Sequence, residues 1–118
     1  MFIYLDTETT GSGPEDRLCQ IAFKTETGTT LDELFNPEIP ISVEAMSIHH
    51  ITNEMVAYKP TFKGSDAYKK LQVLFATDDS IMVAYNAKFD VSMLNRENLY
   101  PQKLSVPTSW HGIWTRKV

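Results

Sequence analysis

YLDTETTG, from Tyr4 to Gly11, ends an apolar run with two carboxylates, Asp6 and Glu8, placed one residue apart. Side chains at positions i and i+2 of a β-strand point to the same face. We therefore expect Asp6 and Glu8 to lie side by side if the strand extends through them. Two neighbouring acids repel each other unless solvent or a cation neutralises them, and oxygen ligands suit Mg²⁺ or Mn²⁺. The stretch thus indicates either a metal site or two solvated acids at a strand end.

The composition is that of a single globular domain. The chain has 118 residues, of which 42% are hydrophobic and 22% are charged, and a chain of this size can bury a core. The net charge of −4 argues against a nucleic-acid-coating surface, which would be basic. It does not exclude a nuclease, because acids clustered at a metal site are offset locally by the bound ions.

The sequence also predicts a cytoplasmic protein. Cys19 is the only cysteine, so no internal disulfide can form and a reducing compartment is expected. No stretch is long and apolar enough to cross a membrane, and Met1 leads into strand-like sequence without a basic leader. We therefore expect neither a membrane association nor a signal peptide.

The order of the predicted elements indicates a mixed α/β sheet. Three strand-like segments separated by turn residues predict an antiparallel meander. A later, nearly continuous apolar run predicts a strand buried on both faces, as in parallel sheets. The predicted strands are Phe2–Leu5, Leu18–Thr25, Thr29–Phe35 and Ser80–Tyr85, and the predicted helices are Ser42–His49, a short helix from Thr52, Thr61–Phe75 and Ala87–Leu99.

A second stretch, VAYNAKFDVSML from Val83 to Leu94, supplies a third acid. Asp90 follows the predicted buried strand and lies about one turn into the predicted helix. This position is near the carboxyl edge of the sheet, where open α/β folds place their ligands. Taken alone, Asp90 is most simply an acid in a first helical turn, stabilised by the helix dipole.

Together the two stretches resemble the DEDD superfamily of 3′–5′ exonucleases, and within it the proofreading epsilon-subunit (DnaQ-like) branch. DTETTG (residues 6–11) matches the first motif of that family, Asp-x-Glu followed by Thr-Gly. YNAKFD (residues 85–90) matches the second motif, His-Asn-Ala-x-Phe-Asp, with Tyr85 in place of the histidine. EAMSIHHIT (residues 44–52) resembles a segment ending His-Gly-Ile-Thr, with His50 in place of the glycine.

The resemblance covers residues 2–100 and implies an RNase H-like mixed sheet. That fold would comprise a three-stranded antiparallel meander with a parallel strand and helices, incomplete at the C-terminus. The implied activity is the release of nucleotides from the 3′ end of single-stranded DNA or RNA, with two Mg²⁺ or Mn²⁺ ions. The implied catalytic and metal-binding residues are Asp6, Glu8 and Asp90, and the implied substrate-binding residues are Thr7, Thr9, Thr10, Asn86, Phe89 and His49. The aligned position of His49 favours a packing role over that of a catalytic base.

The sequence departs from the family after Asp90. The family has a third motif, His-x-(x)-x-x-Asp, which supplies a fourth acid and the general base, and here only Glu97 and His111 follow. We therefore expect residues 1–100 to be the exonuclease-like domain and residues 101–118 to be an atypical tail. We do not assign His111 as the base, because the tail lacks any acid.

Our hypothesis is that this tail results from a frameshift near residues 101–104, followed by an early stop. In a neighbouring reading frame, the codon junctions Trp110/His111 and Trp114/Thr115 must encode Ala and Asp, and the frame permits Leu-Ala-Arg-His-Leu-Asp. That peptide resembles a family helix. Sequencing the coding DNA tests the idea.

We expect weak or no activity from the chain, because loss of a general base typically costs about 10²- to 10⁴-fold. Losing the last strand and two or more helices would expose apolar sheet surface and favour a homodimer. A polymerase or a fused domain is a further expected partner. The alternative is a non-catalytic module, derived from an exonuclease, that binds a nucleic-acid end or a protein. A third alternative is an unrelated α/β domain with coincidental acids.

Overall fold

Residues 1–107 are the part of the chain described by the computed structural model, and they form a five-stranded sheet with four helices. The strands are β1 (Phe2–Thr9), β2 (Leu18–Thr25), β3 (Thr30–Leu34), β4 (Ile81–Val83) and β5 (Lys103–Ser105). The helices are α1 (Val43–His49), α2 (Asn53–Val56), α3 (Asp66–Ala76) and α4 (Ala87–Asn95). The predictions for His111 and for the tail beyond residue 107 lie outside the described residues.

The sheet has the order β3-β2-β1-β4-β5. β1, β2 and β3 form an antiparallel meander, whereas β4 runs parallel to β1 and β5 runs parallel to β4. This confirms the predicted mixed sheet of the RNase H-like class.

The expected loss of the last strand is wrong. Lys103–Ser105 forms β5, with Ile81 opposite Lys103 and Val83 opposite Ser105. Three residues give no periodic signal, and their partner strand lies about twenty residues earlier in the chain. Only the tertiary structure therefore defines this strand. The predicted division of the chain at residue 100 stays a prediction.

β1 is longer than predicted and continues through the acidic pair to Thr9. Burial alternates along it, with Ile3, Leu5, Thr7 and Thr9 buried. The intervening side chains, Asp6 and Glu8 among them, are partly exposed. The two carboxylates therefore share one face of the central strand, as the i, i+2 spacing predicts.

Two predicted helices differ in their bounds. α3 begins at Asp66 rather than Thr61, because the Ser65 hydroxyl caps the helix by accepting from the Tyr68 N–H. The same hydroxyl donates to the Phe62 carbonyl and holds the preceding turn. α4 ends at Asn95, four residues earlier than predicted. α1 begins after its predicted cap, Ser42, which accepts from the Ala45 N–H.

The main core lies between the sheet and helices α3 and α4. Ile3, Leu5 and Phe23 from the sheet cluster there with Leu71 of α3 and Leu94 of α4. A second, smaller cluster lies beneath α1 and α2 and includes Cys19, Ile41, Ala45, Ile51 and Val56. Within residues 1–107 no helix is long and apolar enough to span a membrane.

Candidate active site

Asp6 and Glu8 lie in the second half of β1, the middle strand of the sheet. Asp6 is opposite Ala22 of β2, and Glu8 is opposite Gln20. The pairing register shifts just beyond Glu8, between Glu8 and Thr9. The two carboxylates thus occupy the carboxyl end of β1, where the strand leaves its regular pairing.

Asp90 reaches the same strand from α4. Asn86 is the N-cap residue of this helix, and its carbonyl accepts from the N–H groups of Phe89 and Asp90. The Asp90 side chain is buried, and the Thr7 hydroxyl donates to its Oδ1 at 2.5 Å. Because Thr7 lies between Asp6 and Glu8, this bond brings all three predicted catalytic residues to one end of β1.

The three acids act on one another electrostatically. Burial raises the pKa of Asp90 from its ordinary value of 3.8 to about 7. The negative charges of Asp6 and Glu8 add to this rise in pKa, whereas the hydrogen bond from Thr7 opposes it. A carboxyl group with such a pKa is held in surroundings that disfavour its charge.

The chemistry of these donors fits a hard divalent cation, although their arrangement is not that of a closed metal centre. All three side chains offer carboxylate oxygens, the ligands of Mg²⁺ and Mn²⁺. A cation would also offset the repulsion from Asp6 and Glu8, which adds to the effect of burial on the pKa of Asp90. Within residues 1–107, no three His, Cys, Asp or Glu side chains are grouped closely enough to hold one ion. A shared ion therefore requires the side chains to turn toward one another.

A pocket of about 250 Å³ opens beside Glu8. It lies between the end of β1, the loop that follows it, α1 and the first turn of α4. Of the predicted substrate-binding residues, Thr7, Thr9, His49 and Phe89 line it. Thr10 and Asn86 do not contribute to its lining.

His49 is buried in the wall of this pocket and uses both ring nitrogens. Nε2 lies 2.9 Å from the Thr9 carbonyl, and Nδ1 accepts from the Ile51 N–H at 3.0 Å. These partners assign the neutral tautomer with the proton on Nε2. His49 therefore holds the end of β1 against α1, which agrees with a packing role.

Thr10 is fully buried and closes the loop between β1 and β2. Its hydroxyl donates to Asp16 Oδ1 and accepts from the Arg17 N–H. The Asp16 carboxylate also approaches Gly11 so closely that a Cβ there would lie 2.6 Å from Oδ2. Gly11 thus allows the loop to fold back, and Thr10 shapes the pocket only through this loop.

A family model described as an exonuclease, RNase_T, matches residues 3–116. The chain belongs to this exonuclease family. The match confirms the resemblance that the two acidic motifs indicated.

Individual relatives agree with the family. An uncharacterized exonuclease of Escherichia phage 186 is 39% identical over 93 residues, which cover 78% of this chain and 46% of the phage protein. The DNA polymerase III subunit epsilon of Rickettsia prowazekii is 36% identical over 104 residues, covering 80% of this chain and 43% of the subunit. The chain thus spans about half the length of these curated relatives.

A solved structure agrees as well. Exonuclease X, in complex with 5′ overhanging duplex DNA, superposes with a TM-score of 0.66 at 30% identity. The alignment covers 90% of this chain and 59% of exonuclease X. The exonuclease fold therefore accommodates the sheet order and the helices described above.

Six residues that line the pocket were not among the predicted site residues. These are Gly11, Ser12, Ser42, Glu44, Ala45 and Ile48. Ala45, Ile48 and His49 stand at i, i+3 and i+4 of α1, so one helix face lines the pocket together with its first-turn acid, Glu44. This spacing was readable in the sequence, but a short helix lining a pocket and one covering a core show the same pattern.

Proposed function

We propose that this chain carries the metal-binding and nucleotide-binding core of a divalent-metal-dependent 3′–5′ exonuclease. The observation that supports this most directly is the contact of Asp90 with Thr7, between Asp6 and Glu8 and beside the pocket. The proposed substrate is the 3′ end of single-stranded DNA or RNA. The proposed metal ligands are Asp6, Glu8 and Asp90, and the proposed ion is Mg²⁺ or Mn²⁺.

The ion, when bound, would activate water and stabilise the leaving oxygen of a phosphodiester. The chain's own residues position the substrate. Phe89 presents a half-buried ring at the pocket, where a terminal base can stack on it. Thr7 and Thr9 line the pocket between the carboxylates and His49. There they would hold the terminal sugar.

Turnover by this chain alone is proposed to be low. Glu97 is the only acid after Asp90 in the sequence, and it is paired with Arg17 rather than directed to the carboxylates of β1. The fourth acid of the resemblance therefore has no counterpart among these residues. Within residues 1–107, His49 is the histidine that lines the pocket, and both of its ring nitrogens are engaged in hydrogen bonds, so it is not available as a general base.

The test is nucleotide release from 3′-labelled single-stranded DNA and RNA with Mn²⁺, at enzyme in excess over substrate. Asp6→Ala removes a proposed metal ligand, and Asp66→Asn, which alters an exposed carboxylate in the first turn of α3, is the matched control. We expect slow release by the parent and by Asp66→Asn, and none by Asp6→Ala. Mn²⁺-dependent binding of the 3′ end without release would favour the non-catalytic alternative. Neither binding nor release by a folded chain would contradict both.

Two further partners are proposed. The epsilon subunit among the relatives is named as a subunit of DNA polymerase III, which supports a polymerase or a fused domain as the setting of this chain. A homodimer is proposed through the face of β1 that carries Phe2 and Tyr4. Phe2 remains 39% exposed there, which is large for an aromatic residue on a central strand.

A further inference from the structure

α4 is attached to the rest of the fold along a single stripe. Asp90, Met93 and Leu94 follow the spacing i, i+3, i+4 of one helix face, and all three are buried. Glu97, also buried, lies in the turn that follows the end of α4 at Asn95, where its N–H donates to the Leu94 carbonyl. The segment from Asp90 to Glu97 is thus apolar in the middle and carries a buried carboxylate at each end.

Each terminal carboxylate has one strong partner. Asp90 accepts from Thr7 on β1. Glu97 accepts from Arg17, whose Nη2 lies 2.7 Å from Oε1 and 2.9 Å from Oε2. Glu97 is 4% exposed, and the guanidinium that it pairs with also approaches Glu38 at 3.5 Å.

Arg17 is in turn fixed to the end of β1. The Thr10 N–H donates to the Arg17 carbonyl at 2.9 Å, and the Arg17 N–H donates to the Thr10 hydroxyl at 3.0 Å. Thr10 directly follows the strand that carries Asp6 and Glu8. The Arg17–Glu97 pair therefore connects the far end of α4 to the strand that carries two of the three acids.

A second contact holds the same loop. Arg96 Nη1 donates to the carbonyls of Gly13 and Asp16 at 3.1 and 2.6 Å. Gly13 and Asp16 belong to the β1–β2 loop, which also contributes Gly11 and Ser12 to the pocket. The C-terminal end of α4 thus contacts the loop that forms one pocket wall.

We propose that Arg17 is a positioning residue which, through Glu97, sets the rotation and the height of α4 and so places Asp90 against Asp6 and Glu8. This inference rests on the proposed function. The apolar packing of Met93 and Leu94 is not directional. It therefore opposes the separation of α4 from the core more strongly than it opposes sliding or rotation of the helix. A directed ion pair at one end, with the Thr7 bond at the other, fixes both. Misplacement of a reacting group by about 1 Å can cost about 10²-fold in rate.

The test separates positioning from stability. The double variant Arg17→Met/Glu97→Met replaces the pair by apolar chains of similar length, and such replacements are often neutral for stability. If the double variant fails to fold, Glu97→Gln replaces it in the test. Glu97→Gln removes the charge but keeps the side-chain shape and one acceptor oxygen. Leu71→Val, which removes a buried methylene from the core-facing side of α3, is the control for a loss of stability alone. Lys103→Met/Asp79→Asn removes another ion pair, at the amino ends of β4 and β5, away from the site.

The first measurement is Mn²⁺ affinity by calorimetry on the whole chain, followed by single-turnover release from single-stranded DNA. Removing groups that orient metal ligands typically weakens metal binding by about 10- to 100-fold. We expect such a loss in Arg17→Met/Glu97→Met and in Glu97→Gln, with a lower turnover rate at saturating DNA. Leu71→Val and Lys103→Met/Asp79→Asn should bind Mn²⁺ as the parent does.

Three results would overturn the inference. Parent-like Mn²⁺ affinity in folded Arg17→Met/Glu97→Met or Glu97→Gln would leave the pair a stabilising role only. An equal loss of affinity in Leu71→Val would mean that stability, not position, sets the affinity. If the folded parent binds no Mn²⁺, the proposed function itself fails, and the inference fails with it.

Discussion

At the scale of single residues, His50 is a departure from the family pattern that lowers the stability of the chain. It caps the C-terminus of α1 with a φ of 61°, and its N–H donates to the Met46 carbonyl. This left-handed conformation favours glycine, which has no Cβ to clash with the carbonyl. The resembling family segment has glycine at this position, so His50 carries backbone strain that the family avoids.

His50→Gly should therefore stabilise the chain. A left-handed conformation costs a residue with a Cβ about 1–2 kcal/mol. The greater conformational freedom of glycine in the unfolded state offsets part of the stability gained by removing this strain. We expect the free energy of unfolding to rise by about 0.5–1 kcal/mol. Urea denaturation with an unchanged m-value is the measurement. His50→Ala, which keeps the strain, is the control, and a gain of the same size in His50→Ala would contradict the explanation.

At the scale of elements, the sequence predicted what local patterns determine. The burial alternation of β1 and the Ser42 cap of α1 follow from side-chain spacing and from hydroxyl chemistry, and both were readable. The start of α3 was not, because Thr61 and Ser65 are both acceptable caps. In the structure Ser65 is the cap, because its hydroxyl accepts from the Tyr68 N–H and also donates to the Phe62 carbonyl.

Contacts between elements that are distant in the sequence could not be predicted from local sequence patterns. Asp90 was predicted near the sheet edge, but its bond to Thr7 was not, since Thr7 faces away from Asp6 and Glu8 in a regular strand. The pair of Arg17 and Glu97 joins residues 80 positions apart. Neither residue belongs to a motif. Such pairs depend on how the elements pack, and a single sequence carries no local signal for them.

At the scale of the whole molecule, the face of β1 with Phe2 and Tyr4 predicts self-association. We expect a concentration-dependent dimer in sedimentation velocity, and we expect Phe2→Glu to shift it to monomer, because a buried charge without a partner is costly. Tyr58 is fully exposed near the end of α2, so Tyr58→Glu is the matched control. A monomer at all concentrations, or a dimer insensitive to Phe2→Glu, would remove this interface.

The acid cluster also predicts how the stability of the whole chain depends on pH. The pKa of Asp90 is raised from 3.8 to about 7, so between these values the folded chain binds more protons than the unfolded chain. Stability contributed by Asp90 is therefore present at low pH and lost as pH rises through this window. At about 1.4 kcal/mol per pKa unit, the loss is at most roughly 4 kcal/mol. Above pH 7, in the absence of metal, the whole of this loss in the free energy of unfolding persists.

Asp90→Asn removes this ionisation while its side-chain oxygen can still accept from Thr7. The metal-free variant should exceed the parent in free energy of unfolding at pH 8 by an amount on the order of 2 kcal/mol, and the difference should shrink toward pH 5. The measurement is urea denaturation at both pH values with a chelator present. Added Mn²⁺ should stabilise the parent at pH 8 more than it stabilises Asp90→Asn, since the variant retains only Asp6 and Glu8 as charged ligands. Equal pH dependence in the two proteins would mean that the pKa of Asp90 is not raised. Asp6, Glu8 and Asp90 would then be ordinary solvated acids rather than carboxylates whose charges require a cation.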